Sequence, residues 1–413
     1  MEQSIQLQVK QDSIWKNKQF IYLLASSVFS SLGASMFLFT QSWYIVTILN
    51  LQAAVGFVMI GSTLPQIFLL FIGGVIADRW DKTRLMFWSD LTRVILIFSL
   101  VIVLVAYAVI PIFIFVIYAV AFGVLGAFFY PARDSIIPMI TEDHNLTKAN
   151  SLIQGTNQLS MLAGPLVCGV LITLFNFQTT FFIVAILLAA GTLPLYFMRE
   201  SKVEKERVEG TPLKKELMEG LLYIKGSSLL QGLLLISVLI NLIIVGPLFM
   251  GLPIFVRNVL DGTALSYSLI EGSLSIGLLI GSIIMFVWNT NRHRGKIALY
   301  SLLCLSFSYL LFSQTTTFTT GLASIFLVGG FIQITTLPVI SIIQRQVSKE
   351  YLGRIMSLMT ISSMGLTPIS YGVTSMLLTV GLTIQDIMFW SSLILIVVTI
   401  GVILSARQIR ATH

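Results

Sequence analysis

Long apolar runs separated by short polar segments form the dominant pattern of this sequence. Each run has about 20 residues, and a helix of that length rises about 30 Å, enough to cross the hydrocarbon layer of a membrane. The pattern predicts an all-α membrane protein with twelve transmembrane helices, at about residues 20–48, 53–77, 85–108, 112–132, 151–174, 178–198, 228–255, 265–288, 297–314, 318–343, 356–380 and 386–406.

Lysine and arginine are distributed unevenly among the loops between these spans. The loops near residues 50, 110, 176, 316 and 382 contain neither residue, whereas the intervening loops hold nearly all of them, with Arg257 as the exception. Basic loops stay on the cytoplasmic side of a membrane. The alternation therefore predicts that both termini are cytoplasmic.

An internal repeat relates the two halves of the chain. Residues 135–152 align without gaps on residues 341–358, with matching Ser-Ile-Ile and Ser-Leu pairs and a base at positions 148 and 354. Parallel six-helix repeats related by an axis along the membrane normal build one large transporter fold. We expect an N-terminal bundle (1–198), a cytoplasmic linker with an amphipathic helix (199–226) and a C-terminal bundle (227–413).

Composition narrows the function classes. The chain is 56% hydrophobic and only 10% charged, whereas soluble domains are about a quarter charged. The net charge of +7 therefore reflects membrane topology and not nucleic-acid binding. Two cysteines inside apolar runs, Cys168 and Cys304, indicate neither a disulfide framework nor a metal site. We expect no cofactor and no enzymatic activity, because nucleophile–base sets, HExxH motifs and phosphate loops are absent from the sequence.

Seven charged residues are concentrated between Gly73 and Val94. The start of this segment resembles the loop signature of the major facilitator superfamily. Asp81 replaces its second glycine and Thr83 one of its bases. The matching positions are Gly74, Ala77, Asp78, Arg79 and Lys82, with Arg84 one place late. The resemblance implies that Asp78 locks the two halves closed on the cytoplasmic side. The alternative is a solvated basic loop that only enforces topology.

Further segments resemble the branch of macrolide efflux proteins and the enterobactin exporter. These are "PARDSIIPMI", "ELMEGLLYIKGSSLL" and the fifth-span sequence Gly164-Pro165-x-x-Cys168-Gly169, which is similar to an exporter motif with Cys in the first of its paired glycine positions. Gly164, Pro165 and Gly169 would let this helix bend and approach its neighbours. The fourth span lacks the basic residue of drug/proton antiporters, so coupling would use other groups.

Asp90 and Arg93 lie inside the third predicted span. Their spacing of three residues places them on one helix face, and an ionisable pair in a membrane must face protein or water. One reading is a structural ion pair. The other is a switch in which Asp90 changes partner or takes a proton when the cytoplasmic side opens. Arg133 and Asp134, at the end of the fourth span, could join the same network.

Glu271 is the other acid within a predicted span, about 9 Å inside the outer edge of the eighth helix at about 1.5 Å per residue. A carboxylate in that position needs a partner or a proton. Glu271 is therefore a candidate for proton coupling, and pairing with the lone external base Arg257 is the alternative; the two are compatible.

Uncharged polar residues predict the walls of a cavity. In the first span Ser27, Ser30, Ser31, Ser35, Gln41 and Ser42 fall within an arc of about 140° at about 100° per residue, although small serines also suit close helix packing. Larger amides are costly to leave unpaired in lipid. They are Gln41, Asn157, Gln158, Asn241 and Gln333. A mostly apolar cavity with few hydrogen-bond anchors favours an amphiphilic organic substrate.

These features predict a monomeric secondary exporter in the bacterial plasma membrane. It would move an amphiphilic compound, such as a macrolide or a siderophore, by proton antiport with alternating access. The partners would be the small-molecule substrate, protons and the lipid bilayer, with no nucleic acid. The alternatives are a proton-coupled uptake symporter, or a lipid-moving or non-transporting membrane protein of the same fold.

Overall fold

The computed structural model describes residues 13–107, 109–199, 213–288 and 294–405; the side chains of residues 71–75, 77–79, 213–217, 349 and 405 lie outside that description. Over these residues the chain is helical, with no strand. The helices are α1 (Lys18–Thr47), α2 (Ala54–Arg79), α3 (Lys82–Ala106), α4 (Ile112–Ile140), α5 (Leu146–Leu174), α6 (Phe177–Phe197), α7 (Leu213–Lys225), α8 (Ser228–Leu239), α9 (Gly251–Asn258), α10 (Ala264–Trp288), α11 (Arg294–Ser313), α12 (Phe318–Gln346), α13 (Lys349–Thr379) and α14 (Ile384–Ser405).

The all-α membrane class is confirmed. In the described part of the chain, ten helices are long and apolar enough to cross a membrane, and α2 adds a shorter apolar stretch, Ala54–Leu70. Helix α13 lies at the eleventh predicted span without meeting that measure. The count of twelve crossings and the cytoplasmic position of both termini stay predictions.

Several helices extend beyond their predicted ends. Helix α4 continues to Ile140 through Pro131 and Pro138, whereas the prediction ended at residue 132. Proline is tolerated in membrane helices because neighbouring groups satisfy the carbonyl it frees. Helix α5 likewise continues as one helix across Pro165.

The seventh predicted span is interrupted. Between α8 and α9 the chain forms two π-helical turns, Ile240–Ile244 and Gly246–Met250. The Ser370 hydroxyl of α13 lies in this interruption: it accepts a hydrogen bond from the Gly246 N–H at 2.7 Å and donates to the Leu242 carbonyl at 2.7 Å. A side chain inserted into the backbone ladder is a recognised cause of such a local change in helix geometry.

Because the helices run alternately up and down, the loops fall at two ends. We call the end with residues 80–81, 141–145 and 347–348 the basic end, and the end with residues 48–53, 175–176, 259–263 and 380–383 the neutral end. Helices α1 to α6 form the first group and pack mainly with one another. In the second group, α10 to α12 and α14 pack with one another, and α13 packs on the chain from α8 to α9, which also contacts α10 and α14. The main contacts between these groups are α5 with α10 and α2 with α13.

Helix α7, the predicted amphipathic linker helix, packs on α13 at the basic end. Glu219 Oε2 lies 2.7 Å from Arg354 Nη1, and the rings of Tyr223 and Tyr351 are stacked with centroids 4.8 Å apart. The chain between the two groups of helices is thereby attached to the second group.

Candidate functional site: a central cavity and its charged neighbours

A cavity of about 340 Å³ lies between the two groups of helices. Helix α1 supplies a polar strip, α10 supplies Glu271, and most of the remaining wall is apolar or aromatic. Glu271 is the only charged residue among the described lining residues, which are Ser31, Ala34, Ser35, Leu38, Phe39, Ser42, Met59, Tyr130, Asn157, Met161, Phe249, Tyr267, Glu271 and Tyr371.

The structure divides the predicted polar arc of α1 between two environments. Ser31, Ser35 and Ser42 line the cavity, whereas Ser30 faces the interior and donates a hydrogen bond to Asp90. Gln41 lies within about 20° of Ser30 around the helix at about 100° per residue. It is fully buried, and neither amide atom has a hydrogen-bond partner. Gln41 is not among the residues that line the cavity in this conformation, and its predicted part in substrate binding stays a prediction.

Of the four other predicted amides, Asn157 lines the cavity. Gln158 is exposed on α5. Asn241 donates to the Ser237 carbonyl of its own helix at 2.8 Å. Gln333 is half-buried on α12, beside Gly281. The sequence identified the large polar side chains within the spans. Of these, only Asn157 lines the central cavity together with the serines of α1.

The two groups of helices are in close contact at the neutral end. Gly169 of α5 is so near Ser268 and the Ala264 carbonyl of α10 that a β-carbon would not fit. Ser375 of α13 donates to the Ala53 carbonyl before α2 at 2.6 Å. Tyr267 also stacks on Phe39 with ring centroids 4.3 Å apart. These contacts close the neutral end of the cavity.

Nearer the basic end the same helices are separated. A β-carbon added to Gly155 of α5, or to Gly353 or Gly365 of α13, would meet nothing within 4 Å. Gly164, another predicted helix-approach residue, lies against Ser35 of α1 within the first group. The cavity is therefore closed at the neutral end and open toward the basic end.

Replacing Gly169 with alanine is expected to weaken the closed neutral end, because the added methyl would overlap Ser268 and lie 3.0 Å from the Ala264 carbonyl oxygen. Gly155→Ala on the same helix is the matched control, since its methyl has free space and the two changes gain similar helix propensity. Spin-label distances between positions 175 and 265 should lengthen for Gly169→Ala alone. Equal distances in both variants would show that this contact does not hold the end closed.

Asp90 and Arg93 form the ion pair that their spacing predicts. Arg93 Nη1 lies 3.0 Å from Asp90 Oδ1, and the two side chains are 3% and 0% exposed. Ser30 of α1 donates to the other carboxylate oxygen. The Arg93 guanidinium also lies over Phe129 of α4, 5.3 Å from the ring centroid. The pair thus joins α3 to α1 and α4.

Arg133 continues this network toward the cavity. It is buried, binds Asp134 at 2.9 Å and donates to Asn157 Oδ1 at 3.2 Å. Ser31 donates to the same oxygen at 2.9 Å. Tyr130 lies between Arg133 and Arg93, with ring centroids 5.1 and 6.0 Å from the two guanidinium carbons. Since Tyr130 and Asn157 line the cavity, the buried charges and the cavity share two residues.

Glu271 lies on α10 in the wall of the cavity, and its polar neighbour differs from the Arg257 partner that the sequence offered as an alternative. Oε2 is buried and has no hydrogen-bond partner, and Tyr267, one turn earlier, is the polar neighbour of the carboxyl. Arg257 Nη1 instead lies 3.9 Å from Asp261 at the exposed surface. The alternative Glu271–Arg257 pair is not formed in this conformation, in which Arg257, in the last turn of α9, lies beside Asp261 four residues later.

Part of the signature loop, residues 74–84, lies outside the described residues, namely the side chains of Gly74, Asp78 and Arg79. Lys82 is 3% exposed, and Arg84 is exposed beside Asp81 at 3.7 Å. Asp81, which replaces a glycine of the signature, caps α3 by accepting from the Arg84 N–H at 2.9 Å. Such an N-cap stabilises a helix start by about 1 kcal/mol.

Comparisons with known proteins agree with this architecture. A family model described as Major Facilitator Superfamily matches residues 23–371. Macrolide efflux protein A of Streptococcus pyogenes is 24% identical over 369 residues, 87% of this chain and 86% of that protein. The staphyloferrin A transporter of Staphylococcus aureus is 25% identical over 47% of this chain and 49% of its own length. The crystal structure of nucleoside transporter NupG superposes with a TM-score of 0.74 at 13% identity, covering 94% of this chain and 99% of NupG.

Proposed function

The chain belongs to the major facilitator superfamily, and from that premise we propose that it is a secondary active exporter of an amphiphilic organic compound, driven by proton antiport. It is a multi-pass cell-membrane protein of a transporter family rather than an enzyme. The finer assignment of substrate, direction and coupling ion is the proposal.

The observation that carries the proposal is a cavity shared by both groups of helices, closed at one end and open at the other. We propose that residues 1–198 and 227–413 are two bundles that rock about this cavity, with residues 199–226 as the linker. The two main contacts between the bundles support the division. The predicted repeat relates the second span (α2) to the eighth (α10) and the eleventh span (α13) to the fifth (α5). The α2–α13 contact and the α5–α10 contact are therefore equivalent under the symmetry of the repeat.

The wall of the cavity supports an amphiphilic substrate. Phe39, Phe249 and Tyr371 offer apolar surface, while Asn157 and the serines of α1 offer a few hydrogen bonds. A sugar would need many more polar partners. Likeness to a macrolide efflux protein and to a staphyloferrin A transporter supports both drug and siderophore substrates. The single carboxylate, Glu271, favours a neutral or cationic compound over an anionic one.

Proteoliposomes test this function. With an imposed proton gradient, an exporter of this type should take protons in one direction and move a macrolide probe in the other, with stoichiometric changes of lumenal pH. Proton and probe moving in the same direction would establish symport instead. Probe movement without a proton flux would contradict proton coupling, and no movement of any probe, with intact binding, would favour a non-transporting role.

We also propose that the signature loop is a gate at the basic end, taken as cytoplasmic, with Asp78, Arg79 and Lys82 docking on the other bundle when that end closes. A carboxylate near helix ends and cations is stabilised only while these elements are docked. The cavity opens toward this end, so we propose that the complete lock forms in the opposite conformation.

Asp78→Asn is therefore expected to favour the conformation open at the basic end and to lower transport while leaving expression intact. Spin-label distances between positions 80 and 348 would report the change, with Asp143→Asn, an exposed acid at the same end, as the control. If these distances in Asp78→Asn equal those of the unmodified protein during turnover, the loop acts only in membrane topology.

A further inference from the structure

A second cavity, of about 580 Å³, lies on the flank of the first bundle, where the basic ends of α3 and α6 meet. Helix α3 begins at Lys82 and α6 ends at Phe197, so the groove is level with the helix ends and not with the membrane centre. It is separate from the central cavity and shares no lining residue with it. We call it the α3–α6 groove.

The polar lining of the α3–α6 groove suits an anion. Arg84 and Arg199 contribute two exposed guanidinium groups against one carboxylate, Asp81. Asp81 accepts from the Arg84 N–H and lies 3.7 Å from its Nε. The groove also contains the start of α3, and a helix N-terminus attracts negative charge. Arginine is the side chain best matched to phosphate oxygens, because its planar donors form paired hydrogen bonds.

Thr83 supplies a further polar group to the groove, independent of the two arginines. It lines the groove and is only 5% exposed, and its hydroxyl has no hydrogen-bond partner. A buried unpaired hydroxyl costs about 1–3 kcal/mol, and most hydroxyls on membrane helices of this protein avoid that cost by bonding to a carbonyl in the preceding turn, as Thr92 does at 2.7 Å. A phosphate oxygen in the groove would accept the Thr83 proton.

The apolar part of the lining favours a phospholipid over free phosphate. Trp88 and Tyr196 are 62% and 71% exposed at the rim, as expected for rings at a membrane–water interface. Below Trp88 the same face of α3 exposes Ile95 and Ile102, at intervals of seven residues. Helices α3 and α6 pack chiefly against α1 and α4 and one another, so this face borders lipid. Acyl chains could follow it directly from the groove.

We propose that the α3–α6 groove is a binding site for an anionic phospholipid of the inner leaflet. The headgroup phosphate is held by Arg84 and Arg199 and accepts a hydrogen bond from Thr83, while the acyl chains lie along Trp88, Ile95 and Ile102. The inner leaflet supplies anionic lipid at the level of the groove.

The test uses the full-length protein purified in detergent, with added phosphatidylglycerol, phosphatidylcholine or sodium phosphate. Bound lipid is counted by native mass spectrometry, and stability is followed by thermal unfolding. We expect phosphatidylglycerol to bind more tightly than phosphatidylcholine and to raise Tm. Arg84→Gln and Arg199→Gln should each weaken phosphatidylglycerol binding about fivefold, from roughly 1 kcal/mol per basic group near the surface.

Thr83→Val separates a ligand role from a structural one. Removing a buried unpaired hydroxyl should raise Tm in phosphatidylcholine and reduce the gain from phosphatidylglycerol. Lys148→Gln, an exposed base at the same end, and Arg257→Gln at the neutral end are the charge-matched controls. If the control variants weakened phosphatidylglycerol binding equally, the lipid would be bound by basic surface charge in general and not by the groove. Equal stabilisation by sodium phosphate, or by phosphatidylcholine, would overturn the assignment to an anionic lipid.

Discussion

Asp90→Asn is expected to destabilise the protein by roughly 3–5 kcal/mol, because it leaves Arg93 charged and without its carboxylate in the interior of the first bundle. Arg93 is 3% exposed and its Nε already has no hydrogen-bond partner. The aromatic rings of α4 around it do not replace an anion. Unfolding monitored by tryptophan fluorescence in detergent should show the loss, whereas Asp143→Asn at an exposed position should not.

The double variant Asp90→Asn with Arg93→Gln tests what the pair is for. With both charges removed, the amides can bond to each other and to Ser30, so stability should largely recover. If the pair is only structural, transport recovers in parallel. Recovered stability with transport still lost would assign Asp90 or Arg93 a part in the conformational cycle. If the double variant did not recover stability, the loss in Asp90→Asn could not be due to an unpaired Arg93.

The sequence was sufficient to predict which side chains interact within one helix. The spacing of Asp90 and Arg93 predicts their ion pair, and both residues are where one helix face would place them. It was not sufficient to predict that Ser30 also bonds to Asp90. Ser30 is 60 residues away on α1, and the periodicity of one sequence contains no information on which helices become neighbours. The link from Arg133 to Asn157 on α5 was missed for the same reason.

Side-chain orientation within a polar arc was equally hard to predict. Ser30 and Ser31 are adjacent, yet one faces the protein interior and the other the cavity. An arc of about 140° is wider than the face that one cavity can cover, so part of it must pack against other helices. The burial of Gln41 follows from its angular position beside Ser30.

Glu271 is the residue on which proton coupling is expected to depend. It is the one charge among the described residues of the cavity wall, and it lies beside Tyr267, whose ring stacks on Phe39 and Trp43 across the closed neutral end. A carboxylate next to this apolar seal disfavours closure, because its charge loses water. A protonated carboxyl carries no such penalty, so a proton arriving from outside would favour closure.

Glu271→Gln should therefore abolish gradient-driven export, since the amide mimics the protonated carboxyl permanently, can neither bind nor release a proton, and shifts the population toward the conformation open at the basic end. Substrate binding should remain measurable, and exchange that needs no net proton movement should survive. Glu142→Gln, at an exposed carboxyl of the basic end, should retain full pH-driven transport in the same proteoliposomes. If Glu271→Gln also retained it, the proton would have to bind elsewhere. Asp90, buried beside Ser30 and linked through Tyr130 to the cavity, would then be the next carboxylate to replace, together with Arg93.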